Sequence, residues 1–246
     1  MSDFGTSTVL TPVTPVDLGV PALERRDADP LQPPPASVVL LSLAIAATIV
    51  LLPFDAVFSH WVAESLAPDG TRLRAVLRLV QRLVGAEAIV VYALVLAYAS
   101  ASAGRGLRPV IGATIVGLFG AAMMHASKFA VGRARPQLDF GAQRFEPATL
   151  ADSFDSFPSA HAGTAMLTVL LIVNFVPLRG KARWLLIPLA IFVVAASLTR
   201  VAQRRHFPSD VAAGVAFACL AFVLAKRFLK NEYLAPLTRP RDAAAA

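Results

Sequence analysis

Six apolar stretches, at 38–54, 86–103, 109–127, 159–176, 184–199 and 209–228, recur along the chain with polar and basic segments between them. Each is close to the roughly 20 residues an α-helix needs to cross a hydrocarbon layer about 30 Å thick. Inside such a layer the backbone must satisfy its own N–H and C=O groups, and a helix does this within a single segment. With 56% hydrophobic and 16% charged residues, the chain is too apolar for an ordinary soluble domain. The expected fold class is all-α, a six-transmembrane-helix bundle.

Other segments refine this frame. Between the first two stretches, Arg74, Arg78 and Arg82 recur every fourth residue while Leu73, Leu77, Val80 and Val84 fall on the opposite face. That pattern predicts an amphipathic helix lying at the membrane interface or packed on the bundle. Residues 1–37 are proline-rich, mixed in charge and without apolar periodicity, as in a disordered tail. No basic segment followed by a short apolar core opens the chain, so a cleaved signal peptide is not expected. The expected organisation is a tail at 1–37, a membrane domain at 38–230 and a second tail at 231–246. Pro53 and Asp55 are read as closing the first span. Gly112, Gly117 and Gly120 are read as points where helices approach closely.

The formal charge of +7 sits between the apolar stretches rather than along one face. It therefore points to anionic lipid rather than nucleic acid. Cys219 is the single cysteine, which excludes an intramolecular disulfide and a cysteine metal cage. The four histidines show no paired spacing, so neither a metal nor another cofactor is expected.

Three polar clusters remain. Lys128, Arg133 and Arg135 stand before Pro136; Pro158, Ser159, Ala160 and His161 open the fourth stretch; Arg200, Arg204, Arg205, His206 and Asp210 lie between the fifth and sixth. Two spans separate His161 from His206, and the Lys128 segment shares the loop that ends at His161, so all three clusters emerge on one face. The opposite face holds Arg105, Arg108, Arg179, Lys181, Arg183, Lys226, Arg227 and Lys230, and the positive-inside rule makes it cytoplasmic.

Intramembrane cations and histidines are expensive and tend to mark function. Taken singly, these have two readings, as anchors of helix ends at lipid headgroups or as ligands of an anion. Several cations from different loops are what a phosphate group and its in-line displacement require. Free amides of Ser159 and Ala160 at a helix start would add an anion seat. His161 could act as general acid. His206 is a candidate nucleophile whose imidazole Asp210, four residues on, could orient by a direct hydrogen bond. His125 is read as an interfacial packing residue or a second layer behind Lys128, and His60 is assigned nothing. The acidic residues Asp139, Glu146, Asp152 and Asp155 suggest that the loop 137–157 does not itself bind phosphate.

Together, Lys128 followed six residues later by Arg135-Pro136, then Pro158-Ser159-Ala160-His161, then Arg200 with five residues to His206 and three more to Asp210, resemble the tripartite signature of the type 2 phosphatidic acid phosphatase family. The resemblance covers residues 128–210. It implies a metal-independent membrane lipid phosphatase in which His206 forms a phosphohistidine, Asp210 orients it and His161 protonates the leaving alcohol. Lys128, Arg135, Arg200 and the amides of Ser159 and Ala160 would hold the phosphoryl oxygens. Two positions depart from the family pattern: Ala160 stands where glycine is usual, and Thr199 where serine is usual. A Cβ at Ala160 would make a positive φ costly. The implied setting is a bacterial cytoplasmic membrane, with the site facing outward, both termini cytoplasmic and a membrane lipid phosphate as substrate. Two rival readings are a lipid phosphotransferase using the same phosphohistidine and a non-catalytic lipid-binding membrane protein. Soluble haloperoxidases sharing the signature are disfavoured by the spans.

Overall fold

A computed structural model describes residues 36–66, 75, 79, 81–82, 86–176, 180–229 and 231–237. The N-terminal tail, and most of the expected amphipathic helix at 71–84, lie outside the described residues. The described chain is helical: α1 (Ala36–Leu51), α2 (Asp55–Leu66), α3 (Ala86–Ser102), α4 (Arg108–Val131), α5 (Ala160–Phe175), α6 (Leu186–Ala202), α7 (Pro208–Phe228) and the short α8 (Asn231–Leu234). One isolated bridge pairs Arg133 with Phe145. Four helical stretches are long and apolar enough to cross a membrane: Ala36–Ser65, Arg108–Val131, Ala182–Ala202 and Pro208–Phe228. The apolar helices Tyr92–Ser102 and Ala160–Phe175 are shorter.

Helix α7 is the central element and packs against α1, α4 and α5. Apolar side chains gain nothing by leaving lipid for a protein interior, so helices in a bilayer associate through close packing, which small residues permit. Ala213, Gly214, Ala218 and Ala221 are accordingly buried on α7. A Cβ on Gly214 would lie 2.3 Å from the Ser159 carbonyl oxygen, so glycine there sets how closely α7 meets the start of α5. Around this contact Val116, Leu167, Leu170, Cys219 and Phe222 form the main core, while Leu43, Ile49 and Val57 face outward on the first helices. Gly112 and Gly120 also sit at close approaches, to Tyr233 and Leu167, but a Cβ on Gly117 would meet nothing within 4 Å.

Several helices run past their expected ends. The first does not close at Pro53: a 3₁₀ turn at Leu52–Phe54 admits the proline in its first positions, where no N–H is required, and α2 continues from Asp55. Helix α4 extends to Val131 and ends at Gly132, whose left-handed φ of 56° closes the helix with its N–H on the Lys128 carbonyl. A Cβ on Gly132 would fall 1.8 Å from the Glu146 carbonyl oxygen. Helix α6 reaches Ala202. These extensions put Asp55, Lys128 and Arg200 on rigid helix rather than on loops. At the far end, α8 lies within the expected second tail yet docks on the bundle, through Arg108–Glu232 at 2.9 Å and Asn174 Nδ2 donating to the Leu234 carbonyl at 2.7 Å.

Candidate active site

The loop after α4 is stitched to the other two clusters by its main chain. Arg135 N–H donates to the Ser153 carbonyl at 2.9 Å, Ser156 N–H to the Arg133 carbonyl at 3.0 Å, and Gln137 N–H to the Arg204 carbonyl at 3.0 Å. Ser159 N–H donates to the Asp210 carbonyl at 2.9 Å, joining the start of α5 to the first turn of α7. Residues 128–137, 153–161 and 199–210 therefore meet at one end of the bundle. The charges of Lys128, Arg135 and Arg200 act on both His161 and His206.

His206 is buried and lies just outside α7, because Phe207 is extended (φ −76°, ψ 158°) and Pro208 begins the helix. Its Nδ1 is 2.6 Å from the Ser156 carbonyl oxygen. A carbonyl can only accept, so Nδ1 carries the proton and Nε2 keeps its lone pair. Burial first, then the charges of Lys128 and Arg200, hold the imidazole well below its usual pKa of 6.5, while the Ser156 carbonyl pulls the other way. At neutral pH His206 is thus an uncharged imidazole with one free nitrogen.

The expected direct bond from His206 to Asp210 is absent. Asp210 is the third residue of α7, and its Oδ2 turns back to accept from Phe207 N–H at 2.8 Å and from Ser156 Oγ at 2.5 Å. A histidine outside the helix does not share the face that a spacing of four implies, so Asp210 reaches His206 through Ser156. Its Oδ1 accepts from Arg133 Nη1 at 2.6 Å.

Arg133 is neither a headgroup anchor nor a phosphate ligand. It is 1% exposed and uses all of its donors: Nε and Nη2 bond the Ala142 carbonyl at 3.0 and 2.8 Å, Nη1 bonds Ser209 Oγ at 2.8 Å as well as Asp210, and Nη2 bonds Asp55 Oδ2 at 2.7 Å. Its guanidinium stacks 4.4 Å from the Phe207 ring centroid. Asp55 also accepts from Ser209 N–H at 2.9 Å and from Ser209 Oγ. The carboxylate read as a helix stop is thus a buried counterion behind the site. The sequence carried a signal for it, since an unpaired Asp beside an apolar span is costly, but none for its partner.

At the mouth of α5, Ser159 is the N-cap, Gly163 N–H makes the first helical bond to its carbonyl, and no side-chain cap closes the end. Amides ahead of that bond are the natural donors to an anion. The Ser159 amide, expected to be free, is instead taken by Asp210. Ala160 is helical and is not among the positive-φ residues, so its Cβ introduces no strain there. Ser159 Oγ and Arg200 Nε are both buried without a hydrogen-bond partner, although Arg200 Nη1 donates to Gln203 Oε1 at 3.1 Å. The Thr199 hydroxyl is spent within α6 on the Ala195 carbonyl. Asp155, one of the acidic residues of the loop read as not itself binding phosphate, accepts from Arg135 Nε at 2.5 Å and lies 3.6 Å from Lys128 Nζ. His125 is exposed, and His60 pairs with Glu64 at 3.1 Å.

Comparison with known proteins bears on the family and the fold. Lipid A 1-phosphatases of Rhizobium johnstonii and Rhizobium etli are each 36% identical to the chain over 102 residues. That match covers 41% of this chain and 39% and 41% of theirs, so the chain spans about two fifths of the length of these relatives. The crystal structure of a transmembrane PAP2 type phosphatidylglycerolphosphate phosphatase from Bacillus subtilis superposes with a TM-score of 0.58 at 19% identity, over 78% of this chain and 94% of that one. It shares the fold. The family model for the PAP2 superfamily matches residues 106–233, just over half of the chain and all three polar clusters, and the chain belongs to that superfamily.

Proposed function

We propose that the protein removes a terminal phosphate from a membrane lipid through a phosphohistidine on His206, without a metal ion. One observation carries the reading. Two imidazoles share the field of the same three cations, and on the segments that meet there Ser159 Oγ and Arg200 Nε are buried donors with no partner. Unpaired buried polar groups cost free energy, and a tetrahedral anion would satisfy both.

Nε2 of His206 attacks phosphorus, the P–N bond forms and the P–O bond to the lipid breaks. The bound phosphate anion offsets the surrounding cations, so that His161 takes up a proton, which it gives to the departing oxygen. Water then attacks phosphorus, His161 takes its proton, and the P–N bond breaks to return neutral His206 and inorganic phosphate. Lys128, Arg135, Arg200 and the Ala160 amide offset the charge on the phosphoryl oxygens. Those cations would also repel a metal ion from the same position.

In this reading six helices cross a bacterial cytoplasmic membrane, α1 together with α3 to α7, with the site at the outward face. The lipid A 1-phosphatase relatives make a lipid A phosphate the first substrate to test, ahead of prenyl pyrophosphates, phosphatidylglycerol phosphate and phosphatidic acid. Phosphate release from that lipid panel is measured with EDTA present, using wild type, His206→Ala and His161→Ala. Expected are turnover in EDTA, no phosphoenzyme in His206→Ala, and a loss of roughly 10² to 10⁴-fold in His161→Ala. Turnover that survives His206→Ala refutes the mechanism.

A further inference from the structure

Asp155 has no place in the chemistry above, yet it grips two of the groups assigned to phosphate. Its Oδ1 lies 2.5 Å from both Nε and Nη2 of Arg135, its Oδ2 is 3.6 Å from Lys128 Nζ, and its main-chain carbonyl accepts from the same ammonium. Among the described residues, those two cations are the only groups that hydrogen-bond or ion-pair with its carboxylate. The contrast with the other two site carboxylates is sharp. Asp55 and Asp210 are fully buried, and hydroxyl and amide donors hold them besides Arg133. Asp155 is 29% exposed, on a stretch that ends helix-free at the mouth of α5.

A fork of two N–H groups presented to one carboxylate oxygen is the geometry a phosphoryl oxygen would also use. Carboxylate and phosphate therefore compete for one guanidinium. We propose that Asp155 is a displaceable internal anion that sets the site's affinity for phosphate. It offsets part of the charge of Arg135 and Lys128 until a substrate phosphate takes its place, and it returns to them as inorganic phosphate departs. A soluble phosphate must displace it using charge alone. A lipid brings in addition the binding free energy of its membrane-held chains, which can be spent on that displacement. The residue thereby favours lipid-anchored phosphates over soluble ones and keeps the product from lingering. The proposal rests on the assignment of Arg135 to the phosphate seat.

The test uses the full chain in detergent micelles, with inorganic phosphate as a competitive inhibitor of phosphate release from a lipid phosphate, at fixed salt. Wild type, Asp155→Asn, Asp155→Glu and Arg135→Gln are compared, each checked for a monodisperse elution profile. Removing a partly exposed carboxylate from two cations should tighten inorganic phosphate by roughly tenfold in Asp155→Asn, while Asp155→Glu stays near wild type. Should Asp155→Asn leave the inhibition constant unchanged or weaken it, Asp155 merely props Arg135 in place and the proposal fails. If Arg135→Gln binds inorganic phosphate as wild type does, the seat lies elsewhere and the site assignment falls with it. Loss of inhibition in Arg135→Gln without tightening in Asp155→Asn overturns the Asp155 proposal alone.

Discussion

Replacing Arg133 by alanine tests the buried network behind the nucleophile. The guanidinium lies between Asp55 at 2.7 Å and Asp210 at 2.6 Å, and all three side chains are at most 1% exposed. Deleting one partner of a buried pair leaves an uncompensated charge and costs about 3 to 5 kcal/mol; here two carboxylates are stranded. Loss of the stacking on Phe207 adds about 1 kcal/mol. A chain of this size loses roughly 2 to 4 °C of midpoint per kcal/mol, so thermal unfolding in detergent should fall by about 10 °C or more. Arg144→Ala is the control, because its pair with Glu146 is half exposed and is worth about 0 to 1 kcal/mol. A double variant, Arg133→Ala with Asp55→Asn, removes one stranded charge and should regain about 1 to 2 kcal/mol as a coupling between neighbours. The reasoning is refuted if Arg133→Ala unfolds within a few degrees of Arg144→Ala, or if adding Asp55→Asn only destabilises further.

Ser156→Ala keeps the carbonyl that orients His206 but removes the hydroxyl that joins it to Asp210, so stability should fall by about 1 to 2 kcal/mol, with kcat lowered more than KM is raised in steady-state assays. His206 is held below its usual pKa by burial and by Lys128 and Arg200. It binds its proton more weakly folded than unfolded, so its contribution to stability is fully present above pH 6.5 and is lost as pH falls towards the folded value. Between pH 7.5 and 6.5 its titration should therefore leave phosphoenzyme formation unchanged, which a rapid-quench pH series checks. Gly214→Ala drives a Cβ into the Ser159 carbonyl at 2.3 Å; it should push α5 off α7, with a loss of activity of at least roughly tenfold from the displaced Ser159 and His161, measured as phosphate release.

The helical class, the run of apolar segments and the three polar clusters that meet at one end of the bundle were legible in the sequence. Hydropathy and parity of crossing are properties of the chain in order, and they need no knowledge of which helices touch. Lys128, Arg135, Ser159, Ala160, His161, Arg200, His206 and Asp210 were named through the resemblance that their spacings carry, and the structure brings their segments to one end of the bundle. Partnership was not legible. Asp55 meets Ser209 across 154 positions, and a carboxylate closing an apolar run looks the same in sequence whether it faces water or a buried guanidinium. Asp210 stands four residues after His206, which suggested contact, but the extended Phe207 keeps the histidine off the helix and leaves Ser156 to bridge them. Asp155 looked like an acidic loop residue until the fold closed it onto Arg135. A local pattern settles what each segment is; which donor a given acceptor receives depends on the angle and depth at which distant segments arrive, and only the packed bundle sets those.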